Sequence, residues 1–147
     1  MDIKNEMHLE FMALSQNESF ARVVVGAFAT QLNPTLDELS DIKTAVSEAV
    51  TNAIVHGYEN NGGLVHVNCR LYETMIEIEI VDKGKGIENV QAAREPFYTT
   101  IPGEERSGMG FTVMETFMDD VLVESKLSEG TKVILKKTID HRESLGD

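Results

Sequence analysis

The 147-residue chain has one cysteine, three prolines and no tryptophan. Cys69 has no second cysteine to pair with inside the chain, which excludes a disulfide scaffold and is more typical of a cytosolic than of a secreted protein. Long apolar runs are also absent, because even the richest window, residues 21–29, contains Arg22 and Gly26 and is far shorter than the roughly 20 residues of a membrane helix. The first residues lack the basic and apolar regions of a secretory signal. We therefore expect a soluble cytoplasmic protein that does not act in a membrane.

Basic side chains are scarce as well. The chain has 13 Lys and Arg against 25 Asp and Glu, which gives a formal net charge of −12 and a pI of about 4.7. Proteins that bind nucleic acid directly need a basic stripe that displaces counterions from the phosphates, and the sequence has none. The acidic balance favours a basic protein as partner instead. The length and the ordinary share of apolar residues predict a single domain over residues 1–147 with its own core.

Two capping boxes predict the first helices. Residues 15–18 and 35–38 each place Ser or Thr three residues before Glu, a pattern that begins a helix. The first helix is expected to extend to about Leu32. The second is expected to end near Gly57, which would serve as a left-handed C-cap, and to bury one apolar face. The residues of that face are Leu39, Ile42, Val46, Val50 and Ile54.

Alternating apolar residues predict five strands, at residues 7–13, 65–71, 76–80, 121–126 and 132–137. A further helix is predicted over 110–118, a mobile functional lid over about 88–107 and a frayed tail over 140–147. The order of elements does not give regular βαβ alternation. It favours an α+β two-layer sandwich with a mixed, mainly antiparallel sheet and helices on one face.

Three patterns are candidates for chemistry, and the first is a polar stripe on the second helix. Glu48, Asn52 and His56 recur every four residues and so lie beside the apolar face. A solvated helix edge would show the same spacing. The functional alternative is favoured by Asn52, a poor residue inside a helix unless its side chain is used, and by three flanking alanines that leave room for a ligand: Ala45, Ala49 and Ala53.

The other two patterns are glycine-rich. Asp82 follows an apolar strand directly, with Gly84 and Gly86 beyond it, which is typical of a plain turn or of a purine pocket in which the carboxylate accepts from an exocyclic amine. Residues 107–110, Ser-Gly-Met-Gly, precede a helix whose N-terminus suits a phosphate, although a flexible hinge would look the same. Neither a dinucleotide fingerprint nor a Walker A loop is present in the sequence.

Taken in order, the three patterns resemble the N, G1 and G2 boxes of the GHKL ATPase superfamily of gyrase, heat-shock chaperone, histidine kinases and MutL. Residues 129–131, Glu-Gly-Thr, fit the superfamily's last adenine-side motif. A closer resemblance covers nearly the whole chain: SQNESFAR at 15–22, VSEAVTNAIVHGYEN at 46–60 and RSGMGFTVME at 106–115 are similar to the anti-sigma-F factors of sporulating bacteria, a family of small serine kinases. The resemblance implies the Bergerat ATPase fold with an ATP lid.

The resemblance also implies a site for ATP or ADP with Mg²⁺. Asn52 would be the protein ligand of Mg²⁺, and Glu48 would accept the proton from an incoming serine hydroxyl. His56 stays outside this catalytic set. The adenine would contact Asp82, Gly84, Gly86 and Thr131, and the triphosphate would contact Thr99, Thr100, Arg106, Ser107 and the amides of Gly108, Met109 and Gly110.

Partners follow from the same resemblance. It implies an acceptor serine on an anti-anti-sigma protein, and an ATP-bound homodimer that sequesters a sporulation sigma factor. Arg22, with Asn17 and Glu18, would be the docking residues, although an Arg whose stem merely covers a helix edge would look the same. Two alternatives stay open: a nucleotide-gated binding module without phosphotransfer, and a gyrase-like ATPase fragment, which the short length disfavours.

Overall fold

The computed structural model describes residues 2–94 and 110–139. These residues form the strands β1 (Asn5–Met12), β2 (Leu64–Leu71), β3 (Met75–Asp82), β4 (Asp120–Lys126) and β5 (Gly130–Thr138). Their α-helices are α1 (Gln16–Ala29), α2 (Leu36–Thr51), α3 (Val90–Ala93) and α4 (Gly110–Phe117), with a 3₁₀ turn at Thr30–Leu32 and a π-helical turn at Asn52–Gly57. Most of the predicted lid and the whole predicted tail lie outside the described residues. Within the described ranges, no helix is long and apolar enough to cross a membrane.

The strands make one five-stranded sheet in the order β1-β2-β3-β5-β4. Every pairing within the described ranges is antiparallel, so the expectation of a mixed sheet is wrong, whereas the predicted α+β sandwich is confirmed. Helices α1 and α2 together return the chain to the end of β1 that it left, so Leu64 at the start of β2 lies opposite Met12. Short turns join β2 to β3 and β4 to β5. Alternate side chains of β2 and β3 are buried towards the helices. The others are half-buried on the outer face, apart from the exposed Leu64 at the start of β2.

Helix α2 lies across the middle of the sheet. Its capping box is formed: the Glu38 N–H donates to Thr35 Oγ1 at 3.0 Å and the Thr35 N–H donates to Glu38 Oε1 at 2.9 Å. Such a cap stabilises a helix start by about 1 kcal/mol. The predicted apolar face is confirmed, with Leu39 half-buried and the other four residues fully inside the core.

The capping box predicted for α1, at residues 15–18, is wrong. Ser15 has helical backbone angles and, within the described residues, makes no side-chain cap hydrogen bond. The carboxylate of Glu18 instead accepts a hydrogen bond from the Thr51 hydroxyl at the end of α2. Glu18, which the local pattern predicts to cap the start of α1, therefore makes a tertiary hydrogen bond to α2 instead.

The expected left-handed C-cap at Gly57 is also wrong. Helix α2 continues as the π-helical turn, and positive φ angles come later, at Glu59 and Asn60. The Tyr58 N–H donates to the Ala53 carbonyl at 2.9 Å, five residues back, which is the bond that defines a π turn. The π-helix is rare in proteins, and where a single π turn does occur it is frequently at a functional site.

Candidate functional site

The N-terminus of α4 lies against the polar stripe of α2. A β carbon placed on Gly110 would stand 3.2 Å from both amide atoms of Asn52 and 3.4 Å from Glu48 Oε2. The carboxylate, the amide and the first backbone unit of α4 are therefore neighbours, although about 60 residues separate Glu48 from Gly110 in the chain. Because a helix N-terminus carries partial positive charge, this corner suits an anionic group.

The π-helical turn brings Gly57 beneath the end of β3. A β carbon on Gly57 would lie 2.8 Å from Cγ of Asp82, a distance that no ordinary contact allows. Gly57 is required here by this close approach and not by its backbone angle. Its carbonyl oxygen accepts from the Lys85 N–H at 2.9 Å, which joins the turn to the loop that follows β3.

Asp82 is the last residue of β3 and is only 5% exposed. Burial raises the pKa of this carboxyl from 3.8 to about 6, and hydrogen bonds from the backbone N–H groups of Gly84 and Thr131 act in the opposite direction. The Gly84 bond to Asp82 Oδ1 is 2.9 Å long. A carboxylate held in an apolar surround is a strong acceptor for a ligand N–H donor.

The two glycines after Asp82 are needed for close packing. A β carbon on Gly84 would lie 2.1 Å from the Gly57 carbonyl oxygen, and one on Gly86 would lie 2.2 Å from the Lys126 carbonyl oxygen. Gly86 also has a φ of +77°, which favours glycine. The loop therefore adopts a path that only glycine permits at these two positions.

Asn52 and Asp82 open onto the same cavity, which lies between α2, the end of β3 and α4. Its polar lining includes Asn52, Asp82 and Thr131, and its walls include Gly86 and Gly110, so the structure brings these five predicted site residues together. The remaining walls are mostly apolar, as in most small-molecule sites. They include Ala49, Ala53, Ile80, Ile87, Ala93, Phe111 and Val133.

Two predicted residues stand just behind the cavity wall: Gly84 packs on Gly57, and Glu48 adjoins Gly110. The predicted phosphate contacts at Thr99, Thr100, Arg106, Ser107, Gly108 and Met109 lie outside the described residues.

Besides the apolar walls, the cavity lining includes three residues that the sequence analysis did not assign to the site: His56, Gly57 and Lys85. His56 belongs to the polar stripe, and Lys85 stands between the two glycines of the Asp82 loop. Their positions within these two motifs could have indicated that both residues line the cavity. Gly57 is predicted as a C-cap, and its role in the structure is the close packing against Asp82. Lys85 Nζ lies 3.6 Å from Glu59 Oε2, an ion pair at the edge of the cavity.

The predicted docking residues of α1 all have partners inside the chain. Arg22 is half-buried and donates to Ser19 Oγ at 3.2 Å and to Ser47 Oγ at 3.4 Å, next to Glu48. Asn17 Nδ2 donates to the Met12 carbonyl at 2.9 Å, and Glu18 accepts from Thr51. The guanidinium of Arg22 is therefore held on the α1 surface close to the polar stripe.

Comparison with known proteins identifies the family. Residues 11–137 match the model of the histidine kinase-like ATPase domain. The anti-sigma F factor of Geobacillus sp. (strain WCH70) is 56% identical over 97% of this chain and 99% of its own length. That of Clostridium acetobutylicum is 58% identical over 92% of this chain and 94% of its own length. This chain belongs to the anti-sigma F factor family.

Solved structures agree with this assignment at the level of the fold. The RsbU and RsbW domains of Rv1364c from Mycobacterium tuberculosis superpose with a TM-score of 0.67 at 16% identity, over 92% of this chain and 32% of that chain. The catalytic domain of histidine kinase ThkA superposes with a TM-score of 0.55 at 18% identity, over 90% of this chain and 96% of that chain. The anti-sigma F factor family thus has the histidine kinase-like ATPase fold, as the sequence motifs predicted. As an ATPase domain, this member of the anti-sigma F factor family has ATP or ADP as its ligand.

Proposed function

We propose that this protein is an ATP-dependent protein serine kinase that also sequesters a sporulation sigma factor. The observation that supports this proposal best is the shared cavity of Asn52 and Asp82, with Glu48 and Gly110 at one end. The end of the cavity at Asp82 suits a purine, and the end at Asn52 suits phosphate and proton transfer. The names of the relatives, anti-sigma F factors, support the sigma factor as partner.

At the purine end, Asp82 would accept a hydrogen bond from the amino group of adenine. Thr131 lies opposite Asp82 in the register of β3 and β5 and offers a hydroxyl beside it. The apolar walls, including Ile80 and Val133, would cover the faces of the ring. The backbone at Gly86 lies in the cavity wall without a side chain in between.

At the phosphate end, the donor set fits Mg²⁺. Asn52 offers an amide oxygen, a ligand type that Mg²⁺ accepts, and an ion held mainly by substrate phosphates and water needs few protein ligands. Bound there, Mg²⁺ would neutralise charge on the phosphates. Within the described residues, no group of three or more His, Cys, Asp or Glu could hold a metal by itself, so the phosphates would have to supply ligands. The N-terminus of α4 at Gly110 would face the same charge, with Thr99, Thr100, Arg106, Ser107, Gly108 and Met109 as further proposed contacts.

Glu48 would act as the general base. Its carboxylate would accept the proton of the attacking serine hydroxyl while the serine oxygen forms a bond to the γ-phosphorus and the bond to the β,γ-bridging oxygen breaks. The products are phosphoserine and ADP. We propose as acceptor a serine of an anti-anti-sigma protein.

The sigma factor would dock on α1 of an ATP-bound homodimer. Arg22 is the proposed central contact, since it is held by two serines and Arg is enriched among residues that dominate interfaces. Asn17 and Glu18 are proposed as its neighbours in the interface. The net charge of −12 favours approach of a basic, DNA-binding protein.

The test is incubation with labelled ATP, Mg²⁺ and the acceptor protein, with phosphoserine as readout. Glu48→Gln should lose transfer by at least about a hundredfold, the usual scale of general-base catalysis, and should keep ATP binding. Asp37→Asn, which changes an exposed carboxylate at the far end of α2, is the matched control and should transfer normally. If the wild-type protein binds ATP but transfers no phosphate, the kinase is rejected and a nucleotide-gated binding module remains. Release of phosphate without any acceptor would indicate a gyrase-like ATPase.

A further inference from the structure

Three polar side chains form a row across the sheet beneath the cavity. Asp82 on β3 lies opposite Thr131 on β5, and Thr131 lies opposite Ser125 on β4. Directly opposed residues of antiparallel strands point to the same face, so Ser125 faces the helix side together with Asp82 and Thr131. Ser125 belongs to none of the motifs found in the sequence, and it stands one strand behind the cavity wall.

The Ser125 hydroxyl has three hydrogen-bond partners. The Ile87 N–H donates to Ser125 Oγ at 2.7 Å, the Gly130 carbonyl lies 3.1 Å away, and Thr131 Oγ1 lies 2.8 Å away. A serine hydroxyl has one proton and two lone pairs. The carbonyl can only accept and the N–H can only donate. All three contacts are hydrogen bonds in one arrangement alone: Ser125 donates to Gly130 and accepts from both Ile87 and Thr131.

This arrangement fixes the character of Thr131. Its hydroxyl proton is used on Ser125, so the oxygen presents only lone pairs to the cavity that it lines. The neighbouring carboxylate of Asp82 also presents acceptors. The same serine holds Ile87, whose side chain forms part of the cavity wall. One hydroxyl outside the cavity therefore sets both the polarity of its floor and the position of one wall.

We propose that Ser125 is a specificity-determining residue, which makes the cavity prefer a 6-aminopurine nucleotide over a 6-oxopurine nucleotide by keeping the Thr131 hydroxyl an acceptor. The inference rests on the proposed binding of ATP in this cavity. A 6-amino group donates hydrogen bonds to Thr131 and Asp82. A 6-oxo group meets only acceptors there, and it is rejected as long as Thr131 cannot turn its proton towards the ligand.

The test compares ATP with inosine triphosphate, which carries a 6-oxo group in place of the 6-amino group. Dissociation constants of both nucleotides are measured for wild type, Ser125→Ala, Ser125→Thr and Glu124→Ala. In Ser125→Ala the freed Thr131 proton can serve the 6-oxo group, so the preference for ATP should fall about five- to tenfold, the scale of one hydrogen bond. Ser125→Thr keeps the hydroxyl and should keep the wild-type preference. Glu124→Ala, on the same strand but exposed, should also keep it.

A purely structural role for Ser125 would weaken both nucleotides by the same factor, and that result would overturn the inference. If Ser125→Ala does not fold, Ser125→Cys keeps the size of the side chain but replaces the hydroxyl with a poor hydrogen-bonding group. A wild-type preference in Ser125→Cys would then overturn it. A wild-type protein that binds neither nucleotide would overturn the proposed function and this inference together. If the wild type binds ATP but Ser125→Ala keeps the wild-type preference, the inference alone is overturned.

Discussion

The carboxylate of Asp82 lies directly against the α carbon of Gly57, so close that a β carbon at position 57 would stand 2.8 Å from Cγ of Asp82. This contact joins the π-helical turn that begins at Asn52 to the end of the central strand β3. The two ends of the proposed nucleotide site are thereby held in one fixed arrangement, with the Lys85 N–H bond to the Gly57 carbonyl as a second link.

Gly57→Ala should damage nucleotide binding because the new methyl group must displace the Asp82 carboxylate. We expect a loss of about 1–3 kcal/mol in the free energy of unfolding, typical of overpacking, and at least about a tenfold loss in ATP affinity. Calorimetric ATP titration and urea unfolding measure the two effects. Gly26→Ala is the control, because its β carbon would meet the flexible Lys43 side chain instead. Unaltered ATP affinity in Gly57→Ala would mean that the contact does not position Asp82.

The raised pKa of Asp82 predicts a pH-dependent stability cost. Its folded-state pKa of about 6 lies above the unfolded value of 3.8, so between these two pH values the folded protein retains a proton that the unfolded chain has lost. The contribution of Asp82 to the free energy of unfolding is therefore fully present below pH 3.8 and is lost as the pH rises through 6. The total loss is up to about 3 kcal/mol.

Asp82→Asn removes this titration. The variant should be more stable than wild type at pH 7, and the difference should vanish near pH 4. Urea unfolding at several pH values between 4 and 7 measures the difference in free energy. A difference that stays constant over this range would contradict a buried, titrating Asp82.

The two capping patterns predict unequal effects. Thr35→Ala should lower the free energy of unfolding by about 1 kcal/mol, because the Thr35 hydroxyl accepts from the Glu38 N–H. Ser15→Ala should change it by less than about 0.5 kcal/mol, as for surface substitutions in general, since its hydroxyl does not cap α1. Equal losses in the two variants would show that Ser15 does cap its helix.

Arg22 should matter for the partner and not for the nucleotide. Arg22→Ala should weaken binding of the sigma factor by at least about tenfold in the presence of ATP, as expected when an interface Arg is removed, and should leave ATP affinity unaltered. Lys126→Ala, an exposed cation on β4, is the control for the loss of one positive charge. Loss of a positive charge from a protein of net charge −12 strengthens general attraction to a basic partner, so Lys126→Ala should not weaken binding. Unaltered sigma-factor affinity in Arg22→Ala would contradict a docking contact.

The five strands and the three longer helices could be predicted from the sequence, because each has a strong local pattern. The four-residue helix α3, inside the stretch predicted as a lid, and the π-helical turn could not. The apolar face of α2 and the alternation in β2 and β3 follow from burial on one side, and the structure confirms them. Gly57 shows where this reasoning stops. A glycine after a helix is typical of a C-cap, and nothing local reveals that a carboxylate 25 residues further along the chain will pack against it.

In the candidate site, too, residues in local motifs could be predicted and residues that act through distant contacts could not. Asn52, Asp82 and Thr131 could be found because their motifs are short and recognisable. Two serines that hydrogen-bond proposed functional residues, Ser47 beside Arg22 and Ser125 beside Thr131, could not be found. Their roles depend on tertiary contacts between elements that are distant in the chain, and serine is common on helix surfaces and on edge strands.

The most direct measurement is a titration of ATP against wild type and Asn52→Ala, with and without Mg²⁺. If Asn52 holds the ion at the phosphate end of the cavity, the variant should lose at least about tenfold in affinity for Mg·ATP and stay within about twofold of wild type for the metal-free nucleotide. An equal loss with and without Mg²⁺ would contradict the account, because Asn52 would then contact the nucleotide or the fold and not the metal.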